Sequence, residues 1–187
     1  MDGLKLDQPP RTERLVLRPF EPGDLAAMVE IYSEPATMRY LYGEVHDEAA
    51  ARARLERKMT ARPDDVAFAA VLATTGELVA DVNIVRTSRE HDQGEIGYTV
   101  HPAYAGRGYA TEAARALLRL CFEHLRFHRV VGRLDARNAA SARVLEKIGM
   151  REEAHLVENE WVKGEWTSEI VYAMLDREWR PAWPASS

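Results

Sequence analysis

At 187 residues the chain is long enough to bury one core, and a single domain is the expectation. Its composition, 46% hydrophobic and 29% charged, is that of a globular chain, and its formal charge of −5 speaks against nucleic acid as a partner. No apolar run reaches a membrane span, and MDGLKLDQPPRTER lacks the apolar centre of a secretion signal, so a cytoplasmic protein with no membrane partner is expected.

RTERLVLRPF alternates through Leu15 and Leu17, the period of a strand with one buried face. In EPGDLAAMVEIYS, Asp24 is placed to cap a helix whose Leu25, Met28 and Tyr32 share a face. Asp47 opens a second helix, with Ala51, Leu55 and Met59 four apart and Glu48 one turn from Arg52. DDVAFAAVLATTGELVADVNIVRTS reads as two strands joined at Thr75 and Gly76, and GEIGYTV as a third.

A helix from Gly108 to Arg126 is expected next. Ala110, Ala113, Ala114, Leu117, Cys121 and Leu125 form its apolar stripe, with Glu112, Arg115, Arg119 and Glu123 toward water. RVVGRLD is a short strand. NAASARVLEKIG is a helix that starts at Asn138, turns Val144, Leu145 and Ile148 inward and ends on Gly149. EEAHLVENEW and EWTSEIVYAML flank Val162, Lys163 and Gly164 as a hairpin, and RPAWPASS reads as irregular. The single Cys121 excludes an internal disulfide and sits on the buried stripe, where a thiol is inert. The histidines form no metal-binding pattern.

The order is therefore β-α-α-β-β-β-α-β-α-β-β, an α/β chain whose sheet is mostly antiparallel. A βαβ crossover makes GEIGYTV and RVVGRLD parallel neighbours and puts YAGRGYATEA at the carboxyl end of a parallel strand, where ligands of α/β folds bind. Two glycines ahead of a helix suit an anion cradle, because the first N–H groups of a helix have no internal partner. A dinucleotide fingerprint fails for want of the third glycine, and no P-loop sequence is present.

Three blocks in this order, GEIGYTVHPAYAGRGYATEA, DARNAASARVLEKIGM and ENEWVKGEW, make nearly the whole chain resemble the GCN5-related N-acetyltransferases (GNATs). The likeness is to the branch that acetylates the N-termini of ribosomal proteins. It implies one domain over residues 1–187, with a core of about 12–176 and a tail at 177–187, and a sheet whose central parallel pair splays apart.

The family signature, Gln/Arg-x-x-Gly-x-Gly/Ala, falls on Ala105, Gly106, Arg107, Gly108, Tyr109 and Ala110, with alanine in place of the expected first residue. By resemblance, the N–H groups from Arg107 to Thr111 hold the pyrophosphate of acetyl-coenzyme A, and main-chain groups of Tyr98, Thr99 and Val100 pair with its pantetheine. Asn138 is then a coenzyme-binding amide and Ser141 the proton donor to the thiolate, while Leu145 stands where many relatives have a tyrosine. Asn138 and Ser141 also suit simple helix capping.

Glu95, on the central strand, is the first candidate for the base that accepts the amine proton, with Glu158 and Glu160 behind it. Trp161 and Trp166, with Glu158, Glu160 and Glu165, would offer an acidic aromatic surface to a cationic amine. The acceptor is left open between a protein N-terminus and a small-molecule amine, and exposed aromatics leave a homodimer open. A coenzyme-A-binding sensor of the same fold is the alternative to an enzyme.

Overall fold

In the computed structural model, residues 9–182 are described. Seven strands form one sheet: β1 (Leu15–Arg18), β2 (Asp65–Leu72), β3 (Leu78–Ser88), β4 (Gln93–Val100), β5 (Arg129–Asp135), β6 (Arg151–Val162) and β7 (Glu165–Leu175). Their spatial order is β1-β2-β3-β4-β5-β7-β6, and all neighbours are antiparallel except β4 and β5. Helices α1 (Leu25–Ser33), α2 (Pro35–Met38) and α3 (Glu48–Met59) pack on one face. Helices α4 (Tyr109–Arg119) and α5 (Ala139–Lys147) cover the other.

Each face has its own core. Met28, Ile31, Tyr32, Met38 and Leu55 pack against Ala69 and Val71 on one side. Ala113, Leu117, Cys121, Leu145 and Ile148 pack against Ile84, Ile96 and Val130 on the other. Alternate residues of each strand feed the two cores, as the pleat requires.

Several boundaries differ from the sequence reading. Asp24 does not cap α1: its buried carboxylate accepts the Glu21 N–H at 2.9 Å and the Arg18 guanidinium at 2.7 Å, closing a 3-10 turn ahead of the helix. Met59 is 39% exposed, because α3 ends there and leaves the sheet. The long helix stops at Arg119 and passes into a π-helical turn over Leu120–His124, before Arg126 with φ +58°. That wider turn keeps Leu120, Cys121 and Phe122 all buried, which a regular helix could not do on one stripe. Glu112 faces the segment before β1 rather than water. The expected irregular tail starts as a helix, α6 (Asp176–Ala182), whose Trp179 stacks on Phe122 with ring centres 5.9 Å apart. Residues 183–187 lie outside the described residues.

Two expectations hold closely. Asn138 accepts the Ser141 N–H at 3.0 Å, and Gly149, at φ +89°, ends α5. Lys163 and Gly164 both have positive φ, the turn that matches the twist of a two-residue hairpin.

Candidate active site

The parallel seam is short. Only Gln93, Gly94 and Glu95 pair with Arg129, Val130 and Val131. Beyond Glu95 the two strands part, although β4 runs to Val100 on its β3 edge and β5 to Asp135 on its β7 edge. The facing main-chain edges in this gap lack a strand partner, so an extended ligand can pair there as an added strand would. Tyr98, Thr99 and Val100 lie on that open edge.

At the head of the gap the chain turns into α4. Gly106 (φ +75°) and Gly108 (φ +83°) both adopt the left-handed conformation that side chains resist. An added Cβ at Gly106 would meet nothing within 4 Å, and at Gly108 only the Arg14 guanidinium at 3.5 Å. The protein therefore does not crowd either glycine: φ demands them, and the space above stays open. The first bond inside α4 runs from Glu112 N–H to the Gly108 carbonyl at 3.1 Å, leaving the N–H groups of Tyr109, Ala110 and Thr111 at the positive end of the helix. Arg107, between the glycines, reaches over the Tyr104 ring at 5.4 Å. Ala105 enters the turn exposed, with its N–H on the Pro102 carbonyl.

This turn is braced by residues that sequence reasoning did not select. Thr12 Oγ1 donates to Glu112 at 2.5 Å, the Arg14 N–H donates to the same oxygen, and Arg14 Nε reaches the other at 2.6 Å. Arg14 also donates to the Arg107 carbonyl at 3.2 Å and stacks on Tyr109 at 4.4 Å. Burial pushes the Glu112 carboxyl up, but the three donors outweigh it and hold it below the usual range. On the other flank, buried His101 accepts the Ala103 N–H and lies 3.1 Å from Glu30. A lone histidine between a strand and a proline carries no sequence signal for that role.

Side chains on the two faces of β4 differ in kind. Toward α5, the Tyr98 hydroxyl lies 2.9 Å from Ser141 Oγ and 3.1 Å from the Ser141 carbonyl. Burial pushes its phenol up to about 12, so it stays neutral. Tyr98 has one proton to give: directed at the Ser141 carbonyl it leaves the phenol oxygen to accept from Ser141 Oγ, and directed at Ser141 Oγ it frees the serine proton for another acceptor. The sequence reading used only the main chain of Tyr98. Asn138 spends its carbonyl oxygen on the Ser141 N–H, and its amide hydrogens remain to donate.

On the opposite face, Glu95 is half-buried and its carboxyl is raised. Desolvation is the main cause, Arg133 pulls it back down and Glu169 pushes it up. Arg133 bridges the two carboxylates, with Nε 3.4 Å from Glu95 and Nη1 2.7 Å from Glu169. The Tyr42 hydroxyl donates to Glu169 at 3.3 Å. The available sequence signal was slight: Arg133 and Glu169 are charged residues beside apolar runs in RVVGRLD and EIVYAML.

The acidic aromatic hairpin does not form one surface. Glu160 pairs with Thr167 and Trp161 with Trp166, so by the alternation of the pleat the carboxylates share the face of buried Glu169 while the indoles share the face of α5. The indoles meet edge to face at 5.4 Å and are 61% and 57% exposed. Glu158 sits in a bulge with φ +48°, its N–H on Ser168 Oγ. Cys121 is fully buried and its thiol is pushed up by desolvation, which disfavours the thiolate that acyl transfer would need.

Residues 14–151 match the profile described as an acetyltransferase (GNAT) domain. The chain is 33% identical over 168 residues to the uncharacterized N-acetyltransferase YnaD of Bacillus subtilis, covering 90% of this chain and 97% of that protein. It is similar to the crystal structure of a GNAT-family acetyltransferase from Bacillus anthracis, with a TM-score of 0.83 and 34% identity over 89% of this chain and 98% of that one. The spermidine N-acetyltransferase of Vibrio cholerae, solved with coenzyme A and spermine, shares the fold at a TM-score of 0.79 and 22% identity, covering 90% of this chain and 99% of that one. With its seven-stranded sheet parted at one parallel seam, the chain belongs to the GNAT N-acetyltransferases, enzymes that take their acetyl group from acetyl-coenzyme A.

Proposed function

We propose that this enzyme transfers acetyl to a primary amine by direct attack in a ternary complex, with Glu95 as base and Ser141 as hydrogen donor to the leaving sulfur. The observation that carries this reading is the division of β4, with paired hydroxyls on one face and a raised carboxylate on the other. The coenzyme's diphosphate would rest on the N–H groups of 107–111, and its pantetheine would run along Tyr98, Thr99 and Val100 in the gap. Asn138 would add an amide hydrogen bond.

The amine nitrogen then attacks the thioester carbon from the Glu95 side. A C–N bond forms, the C–S bond breaks, the amine proton goes to Glu95, and the Ser141 O–H turns to the departing sulfur. A carboxyl raised by burial is a stronger base than an exposed one, and an α-amine with pKa near ~8 asks less of it than a lysine near ~10.4. Within the ribosomal-protein branch the acceptor is a protein N-terminus or a small-molecule amine, the N-terminus asking least of the base. Arg133, between Glu95 and Glu169, positions the Glu95 carboxylate, and the buried Cys121 takes no part.

The test is steady-state kinetics on Ser141→Ala and Glu95→Gln over a panel of amines, with acetyl-coenzyme A affinity measured separately. Both variants should keep coenzyme affinity and lose kcat. A Ser141→Ala enzyme with full kcat removes the donor role, and an acetylated Cys121 trapped by quenching removes direct attack.

A further inference from the structure

On the Glu95 face of the sheet, beside α3, lies a second hollow of about 210 Å³. Arg54, Arg57, Lys58 and Arg62 line it, with Asp65 as the one carboxylate, and Thr60, Ala67 and Asn83 complete the wall. The cations are only partly compensated. Lys58 Nζ lies 2.7 Å from buried Asp81, Arg54 Nε 3.8 Å from the same residue, and Arg62 3.7 Å from Asp65. Arg57 has no carboxylate partner among the described residues. Arg54 lies over the Tyr32 ring at 4.1 Å, and its Nε is buried without a hydrogen-bond acceptor. With Asp65 and Asp81 set against the four cations, a surplus of two positive charges remains around one small space. Like charges gathered there repel unless an anion joins them.

The hollow borders the strand that carries Glu95, through Asn83. Asn83, in its wall, is paired with Gly97 of β4, and its Oδ1 lies 2.5 Å from where a Gly97 side chain would begin. Gly97 is two residues from Glu95 on the same face, and the Asn83 amide takes the space that a Gly97 side chain would fill. Two residues along a strand and one strand across amount to roughly 8 Å.

We propose that the acceptor is an amine that also carries an anionic group, a phosphate or a carboxylate, seated among Arg54, Arg57, Lys58 and Asn83 while its nitrogen reaches Glu95. The proposal rests on Glu95 marking the point of attack. It sets this enzyme apart from one that selects polycations: four basic groups beside the acceptor path repel a second ammonium, and Arg133 occupies the carboxylates on the far side.

The experiment compares kcat/KM for hexylamine, 1,6-diaminohexane, 6-aminohexanoate and 6-aminohexyl phosphate, on the wild type and on Arg57→Gln, an exposed helix position. One of the two anionic amines should exceed hexylamine at least tenfold, the better of them identifying the anion, and Arg57→Gln should draw that ratio toward one. A diamine or hexylamine that does as well as both anionic amines overturns the proposal, as does a ratio that Arg57→Gln leaves unchanged. Titration of inorganic phosphate and of hexanoate reads the hollow without turnover. If no amine reacts, binding of either anion that weakens in Arg57→Gln upholds the hollow and faults the assignment of Glu95. If neither anion binds, the proposal fails.

Discussion

On the α4–α5 side of the gap between β4 and β5, the chain presents main-chain N–H groups, two left-handed glycines and neutral hydroxyls on Tyr98 and Ser141. On the α1–α3 side it presents Glu95, Arg133, Glu169 and a basic hollow. On the proposed reading the first side would recognise by backbone shape, which tolerates many side chains and changes little with pH. The second would recognise by charge, where one substitution alters both the acceptor and the protonation state. A coenzyme common to a family suits the first, and an acceptor particular to one enzyme suits the second.

The largest effect should come from the backbone side. Gly108→Asp puts a carboxylate and a strained φ where the diphosphate is expected, and should weaken acetyl-coenzyme A binding on the order of 100-fold by calorimetry, with the fold intact by circular dichroism. Undiminished binding would move the coenzyme off this turn. Next, Ser141→Ala should lower kcat about 30-fold while the coenzyme Kd changes little, separating the hydroxyl from the cradle.

Glu95→Gln tests the charged side and should cost about tenfold in kcat/KM at neutral pH. Its carboxyl is raised in the fold, so activity should fall as pH drops through a value above the ordinary ~4.3, and this limb should vanish in the variant. The stability sign is opposite to the catalytic one. The raised group stabilises the fold below its unfolded pKa and loses that contribution as pH rises through the folded value. Thermal melts should therefore show Glu95→Gln more stable than wild type at pH 7 and level with it near pH 4.

The smallest effect returns to the brace behind the glycine turn. Glu112→Gln should destabilise by about 1–2 kcal/mol at pH 7 in denaturant melts. Because this carboxyl is held low in the fold, its contribution is present above the unfolded pKa and disappears as pH falls through the folded value. A difference that persists at low pH would assign the loss to packing.

The same division explains what the sequence made legible. Gly106, Gly108, Asn138 and Gly149 announced themselves because each serves its own stretch of backbone, and local conformation is written locally. The chain order of the strands followed from periodicity, and the splayed pair from the resemblance. The Glu95–Arg133–Glu169 bridge joins β4, β5 and β7, and Thr12 meets Glu112 across 100 residues. Contacts of that range depend on register, which no window of sequence displays. The hairpin shows the same limit. Trp161 and Glu160 are adjacent in the chain and on opposite faces of the sheet, and composition alone had merged them. The π turn escaped notice because its residues are ordinary helix formers and only their packing asks for the extra width.

The brevity of the parallel seam reaches into how the molecule is assembled. β2, β3 and β4 follow one another through short connections, and so do β6 and β7. Each group can zip up early from neighbours in the chain. Joining the halves requires the entire α4 crossover to close, and the sheet itself gains only three registered pairs from it, an entropic delay set by separation along the chain. The gap proposed to hold the substrates is thus also the sheet's last stitch, and amide exchange during refolding should find residues 129–131 protected after the meander that precedes them.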